Sequence, residues 1–156
     1  MTVTARARII ARLEALIRQA PDEVTMLQSV WLYVWVFIGG GIGSALRYGV
    51  SRASFALIGA SSPAGTLFVN IVGCLLMGLV AGWFAYRDVG IDQSTKLFLT
   101  TGILGGFTTF SAFALDTAVL WQRGEMLTAG LYVSASVIVS IAALFAGLAI
   151  VRMMLV

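Results

Sequence analysis

Residues Gly102 to Phe113 read Gly-Ile-Leu-Gly-Gly-Phe-Thr-Thr-Phe-Ser-Ala-Phe, and their reading decides the fold. They lie inside an apolar segment running from about Leu97 to Trp121. The ends of that segment read as a membrane helix, but its centre does not. Gly105 and Gly106 weaken a helix, and Thr108 and Thr109 are polar with stiff side chains. Lipid cannot satisfy freed backbone groups, so irregular backbone at membrane depth belongs inside protein or along a polar pathway. A break here frees carbonyls of the kind that hold cations in channels and transporters. Phe107, Phe110 and Phe113 recur at i, i+3, i+6, which puts them near one face if the chain is helical there. The alternative is an unbroken helix with two packing glycines and a Phe stripe against its neighbours.

The surrounding chain is a membrane protein by composition. Of its 156 residues, 60% are hydrophobic and 11% charged, against about 25% charged in a soluble domain. Mean hydropathy is +0.98. The net charge of +3, carried mostly by arginine, fits contact with anionic headgroups of membrane lipid and argues against nucleic acid as a partner. The absence of His removes imidazole metal sites and His-based acid–base catalysis, and no enzyme activity is expected. Cys74, the single cysteine, lies in an apolar run and reads as a small packing residue.

Two regions follow from the pattern. In residues 1–29, Arg6, Arg8, Arg12 and Arg18 alternate with Ile9, Ile10, Leu13, Leu16 and Ile17 up to Pro21, which reads as a basic amphipathic helix on the membrane surface. A cleaved leader is the weaker reading, since no compact apolar run precedes Pro21. Residues 30–156 hold four spans. The first opens on Trp31, Tyr33 and Trp35, continues through Gly39, Gly40, Gly41 and Gly43, and carries Arg47 near its end, where it can snorkel to water. The second, about Ala64 to Tyr86, places Thr66 and Asn70 on one face. Asn70 is either interhelical glue or a hydrogen-bond donor in a permeation path. The third carries Asp116 near its end, expensive within a span and therefore a functional candidate, or an interfacial acid. The fourth, about Leu127 to Val151, aligns Tyr132, Ser136 and Ser140 at i, i+4, i+8. Four spans are few to enclose a pore, so an oligomer is expected.

Three ordered motifs carry a family resemblance: Gly39-Gly40-x-x-Gly43 with Arg47-Tyr48; Pro63-x-Gly65-Thr66-Leu67-x-x-Asn70-x-x-Gly73; and Gly105-Gly106-Phe107-Thr108-Thr109-Phe110-Ser111-x-Phe113. Over about Tyr33 to Arg152 the chain resembles the CrcB/Fluc fluoride channel family. The resemblance implies an all-α membrane protein of four transmembrane helices with a broken third helix, pairing as an antiparallel, dual-topology homodimer in the plasma (inner) membrane. It implies a structural sodium ion at the two-fold, held by the backbone carbonyls of Gly105 and Thr108. It implies two fluoride pathways along the dimer interface, with Phe110 and Phe113 facing the ion, Asn70 as the pore amide and Ser111 in the same motif. Tyr132, Ser136 and Ser140 match its polar track less sharply, Asp116 stands where the family usually has Glu, and Ala112 replaces a frequent Thr.

The residues fit that chemistry. Stripping water from a small anion costs on the order of tens of kcal/mol in an ideal apolar medium. Asn70, Thr66, Ser111, Ser136 and Ser140 offer donors, and phenyl rings present a positive edge. Two other readings compete. A small dual-topology drug/proton antiporter needs an acid at mid-span, which the first two spans lack. A non-transporting assembly subunit explains the glycines but not the Asn70, Thr108 and Phe110 set. Arg87, Lys96 and Arg152 balance Arg47, Arg52 and Arg123 across the membrane, whereas the surface segment's arginines tip the count. Mixed insertion with a modest bias toward cytoplasmic termini is expected.

Overall fold

The computed structural model describes residues 23–59, 63–86 and 90–155, all helix and turn. The surface helix expected before Pro21 lies outside the described residues, as do Arg87 and Asp88 in the middle loop. Helix α1 (Glu23–Ile58) is followed by α2 (Ala64–Tyr86), a short α3 (Gln93–Leu97), a π-helical segment (Phe98–Leu104), the single turn α4 (Gly105–Phe107), α5 (Phe110–Gln122) and α6 (Met126–Leu155). Residues 23–29, read from sequence as part of the surface segment, are helical and continuous with the first span. The described residues divide between Tyr33 and Val34 into two units.

Among the described residues four helical stretches are long and apolar enough to cross a bilayer: Ser29–Ile58, Ala64–Tyr86, Gln93–Gln122 and Met126–Leu155. At about 1.5 Å per residue, each exceeds the roughly 30 Å hydrocarbon thickness. Large apolar side chains such as Phe37, Leu57 and Leu127 point outward, as lipid-facing residues do. The helix ends follow local chemistry. Gly59, at φ +96°, closes α1, and its N–H reaches the Phe55 carbonyl. Asp92 caps α3 by accepting from the Thr95 hydroxyl and amide, and these bonds hold its carboxyl below the usual range. After α5, Gly124 adopts φ +77°; its N–H bonds Trp121 while that of Glu125 bonds Leu120. That pair of bonds is a Schellman termination, and it turns the chain directly into α6.

Glycine sets how closely the spans approach. A Cβ on Gly43 would overlap the Ile103 carbonyl, and one on Gly39 would stand 2.7 Å from the Phe98 carbonyl oxygen. In return, a Cβ on Gly106 would lie 2.5 Å from the Gly40 carbonyl oxygen, and one on Gly102 3.0 Å from the Gly39 Cα. Gly39-x-x-x-Gly43 and Gly102-x-x-x-Gly106 are thus two small-residue faces in backbone contact, the packing that lipid-embedded helices use without a hydrophobic drive between them. The α2–α6 pair repeats the device, with Gly78 against the Leu144 carbonyl and Gly147 against the Leu75 carbonyl.

The third span is interrupted, which disposes of the unbroken-helix alternative. The break falls at Thr108 (φ −77°, ψ 158°) and Thr109 (φ −154°, ψ 121°), not at the glycine pair. Gly105 is helical, at φ −65° and ψ −38°. Gly106 supplies close packing against Gly40, whereas Gly105 is exposed and a Cβ there would meet only the Thr100 carbonyl oxygen, at 3.5 Å. The interruption also corrects the expected phenyl stripe. Phe107 precedes the break and is buried, whereas Phe110 and Phe113 follow it on α5 with ring centroids 5.4 Å apart.

Gly43→Val is expected to destabilise the protein by about 1–3 kcal/mol through forced overlap with the third span. Gly41→Ala, which meets nothing within 4 Å, is expected to stay within about 0.5 kcal/mol of the parent. Thermal unfolding in detergent reads both.

Candidate functional site

The break would leave amide and carbonyl groups unpaired at membrane depth. Asn70 on α2 takes up the pair at Thr109. Its Nδ2 donates to the Thr109 carbonyl at 3.0 Å, and its Oδ1 accepts the Thr109 N–H at 2.8 Å. One carboxamide therefore replaces a strand neighbour for one residue of extended chain. Thr109 Oγ1 then accepts the Ala112 N–H at 3.2 Å and caps α5. Upstream, the Thr108 N–H and Oγ1 both donate to the Leu104 carbonyl, at 3.1 and 3.0 Å, ending α4. The Thr108 methyl fills the notch left by Gly73.

The break takes the helical donors from the carbonyls of Gly105, Gly106, Phe107 and Thr108, and Ser44 Oγ donates to that of Gly106 at 3.5 Å. In an unbroken helix the Gly105 carbonyl would accept from the Thr109 N–H, and the Thr108 carbonyl from the Ala112 N–H. Asn70 takes the first donor and the Thr109 hydroxyl the second.

Below the break lies an open cavity of about 430 Å³. Asn70, Gly105, Thr108, Phe110, Phe113, Ser136 and Ser140 line it, so seven of the residues singled out from sequence meet at one place. The Ser136 and Ser140 hydroxyls are buried with no hydrogen-bond partner. Serine on a helix often bonds back to its own carbonyls, whereas these two hydroxyls on one cavity wall do not. Phe113 packs at 5.4 Å from both the Phe110 and Tyr132 rings, while Phe110 remains 79% exposed.

The other candidates sit elsewhere. The Tyr132 hydroxyl donates to Asp116 at 3.3 Å, so that acid is engaged and lies off the cavity. The exposed Ser111 has its hydroxyl 3.2 Å from that of Thr109. Thr66 and Arg47 line a second cavity, of about 270 Å³, together with Ser44, Tyr48 and Thr109. Arg47 Nη2 donates to Ser44 at 3.5 Å. Sequence reading placed Thr109 in the weakened centre of the span but gave it no partner, whereas it is the residue that Asn70 clamps and that caps α5; it also took Cys74, on the cavity wall, for packing. A Thr three residues before an unpaired helical N–H is a cap signal, and Cys74 follows Asn70 by one turn; both clues were in the sequence.

A four-span bundle with an interrupted span, a polar-lined cavity at that interruption and donors held free is the architecture of a membrane channel or transporter. The sequence comparisons narrow this class. Residues 34–148 match the family model described as CrcB-like protein, Camphor Resistance (CrcB). The chain is 51% identical over 120 residues to a protein of Rhodopseudomonas palustris (strain BisB5), covering 77% of this chain and 96% of the relative. It is 55% identical over 117 residues to one of Methylobacterium nodulans, covering 75% and 93%. A protein of Paracoccus denitrificans is 53% identical over 120 residues, covering 77% and 94%. All three relatives carry the name fluoride-specific ion channel FluC. The chain belongs to the CrcB family, and it is a multi-pass protein of the inner membrane, not an enzyme.

Asn70→Leu removes both halves of the clamp and leaves the Thr109 amide and carbonyl bare. It is expected to cost about 1–3 kcal/mol and to speed hydrogen exchange at the Thr109 amide. A variant as stable as the parent, with that amide still protected, would rule the clamp out.

Proposed function

We propose that the chain is the subunit of a passive, fluoride-selective channel that assembles as an antiparallel, dual-topology homodimer with two pores and a structural sodium ion. The observation that carries this reading is the cavity at the break, lined by two buried serine hydroxyls without partners and by two phenyl rings, in a chain whose relatives are named fluoride-specific channels.

The chemistry follows from the side chains. A dehydrated fluoride needs hydrogen-bond donors, and Ser136 and Ser140 each hold one free. Asn70 spends one N–H on Thr109 and keeps the second for the cavity it lines. Phe110 and Phe113 offer the positive edges of their rings, which attract an anion without the tight grip of a guanidinium. Release needs weak, multiple sites, and hydroxyls and ring edges are such sites. The N-terminal end of α5, pointing at the break, adds a favourable dipole for negative charge. Asp116, bonded to Tyr132 and off the cavity, is poorly placed to exchange protons as an antiporter requires.

The sodium reading is supported by the donor set. Gly105 and Thr108 carry two of the four carbonyls that lose their helical donors at the break, and hard oxygen ligands suit sodium. Bound there, sodium would supply a fixed positive charge near the anion path. The dimer reading is supported by Phe110 and Gly105, both exposed in the single chain although both line the cavity.

Liposomes loaded with fluoride and reconstituted with the protein are expected to release it passively, without a proton gradient. Phe110→Ile keeps the bulk of the ring but removes its quadrupole, and is expected to cut the flux severely in a dimer that stays folded. Proton-coupled uptake of an organic cation, with no fluoride release, would favour the antiporter instead.

Orientation is tested separately with single cysteines at Asp88 and Gln122 in a Cys74→Ser background, labelled from outside intact cells. Dual topology requires a labelled fraction at each site. Labelling at Gln122 alone would mean insertion in one direction and would rule out an antiparallel homodimer.

A further inference from the structure

The polar face of α2 has a residue that the channel reading leaves unused. Cys74 lies one helical turn beyond Asn70 and lines the same cavity. Its side chain stands beside Ser140 without a well-formed hydrogen bond to it, and the Ser140 hydroxyl, in a residue only 8% exposed, has no partner.

The packing of α2 on α6 gives this pair a defined level. Beyond it the two helices close on each other, with Gly78 against the Leu144 carbonyl and Gly147 against the Leu75 carbonyl. Stepping back one turn on each helix from the Gly78–Leu144 contact pairs Cys74 with Ser140. The next turn pairs Asn70 with Ser136, and the one after that Thr66 with Tyr132. The polar cleft therefore has two walls, and its last open rung before backbone contact is Cys74 with Ser140.

We infer that Cys74 is part of the ion path: its thiol forms the closed-end station of the cleft with the Ser140 hydroxyl, and it is the site at which a small thiol-directed reagent blocks conduction. The position suits an anion, because the S–H is a weak donor beside a free O–H. It suits a block because the helices already touch one turn further on, leaving no room to divert around an added group.

The inference rests on the channel reading, and the experiment separates the two. Methyl methanethiosulfonate is the probe. The Cys74 thiolate attacks its sulfenyl sulfur; the new disulfide bond forms as the bond to the sulfonyl sulfur breaks, methanesulfinate leaves with the electron pair, and the thiol proton goes to buffer. Cys74 is the single cysteine of the chain, so intact mass reports one adduct at one place. In fluoride-loaded proteoliposomes the adduct is expected to form on the folded protein and to lower flux by roughly an order of magnitude or more, a constriction acting as a gate. A reducing agent restores the flux. Cys74→Ser and Cys74→Ala, whatever their own rates, are expected to show no response to the reagent. An adduct that leaves flux unchanged overturns the inference. So does a thiol that reacts only after denaturation. Untreated protein that releases no fluoride counts against the channel reading itself, while the mass measurement still decides whether the thiol faces the cavity.

Discussion

Everything in this protein hangs on a backbone obligation: an amide or carbonyl inside a membrane must find a partner within the protein. The third span breaks that regularity at Thr108 and Thr109. It can do so because Asn70 offers both a donor and an acceptor at hydrogen-bond distance to the same residue. A carboxamide carries its donor and its acceptor side by side on one planar group, as a backbone amide does. The carboxamide therefore converts an intolerable defect into a stable local structure, and the carbonyls it leaves free become available for other work.

Bringing Asn70 and Thr109 together requires spans that pack closely, and glycine provides this. Gly39 and Gly43 admit the backbone of the third span, Gly73 admits the Thr108 methyl, and Gly78 and Gly147 admit α2 to α6. Each contact is backbone to backbone or backbone to methyl, so a single added carbon would separate the groups that must bond. The result is a bundle whose polar atoms are positioned by its smallest residues, while its large apolar side chains turn outward.

Much of this was legible in the sequence. Apolar run lengths gave the four spans, and polar residues at helical spacing gave the faces of α2 and α6. Ser136 and Ser140 fell where the spacing put them. The location of the break was less legible. Gly105 and Gly106 read as weak helix, but helix weakness and helix packing have the same sequence signature, and for Gly106 tertiary contact with Gly40 decided between them. The phenyl stripe failed for a related reason: helical periodicity holds only within one helix, and two extended residues between Phe107 and Phe110 reset the phase. The double hydrogen bond of Asn70 joins residues 39 apart in the chain, and no local pattern reports such a partner. The π-helical stretch from Phe98 to Leu104 also carries no sequence mark that we can name.

The clamp bears on how the chain is made. A span of ordinary helix can pass sideways into lipid by itself, since its backbone is already satisfied. The third span in its broken form cannot, because the Thr109 amide and carbonyl would enter hydrocarbon bare. Its partner, however, is synthesised earlier: Asn70 is already in the membrane when Thr109 emerges. Biogenesis then has a built-in order, in which the second span waits as a template and the third enters lipid as half of a pair.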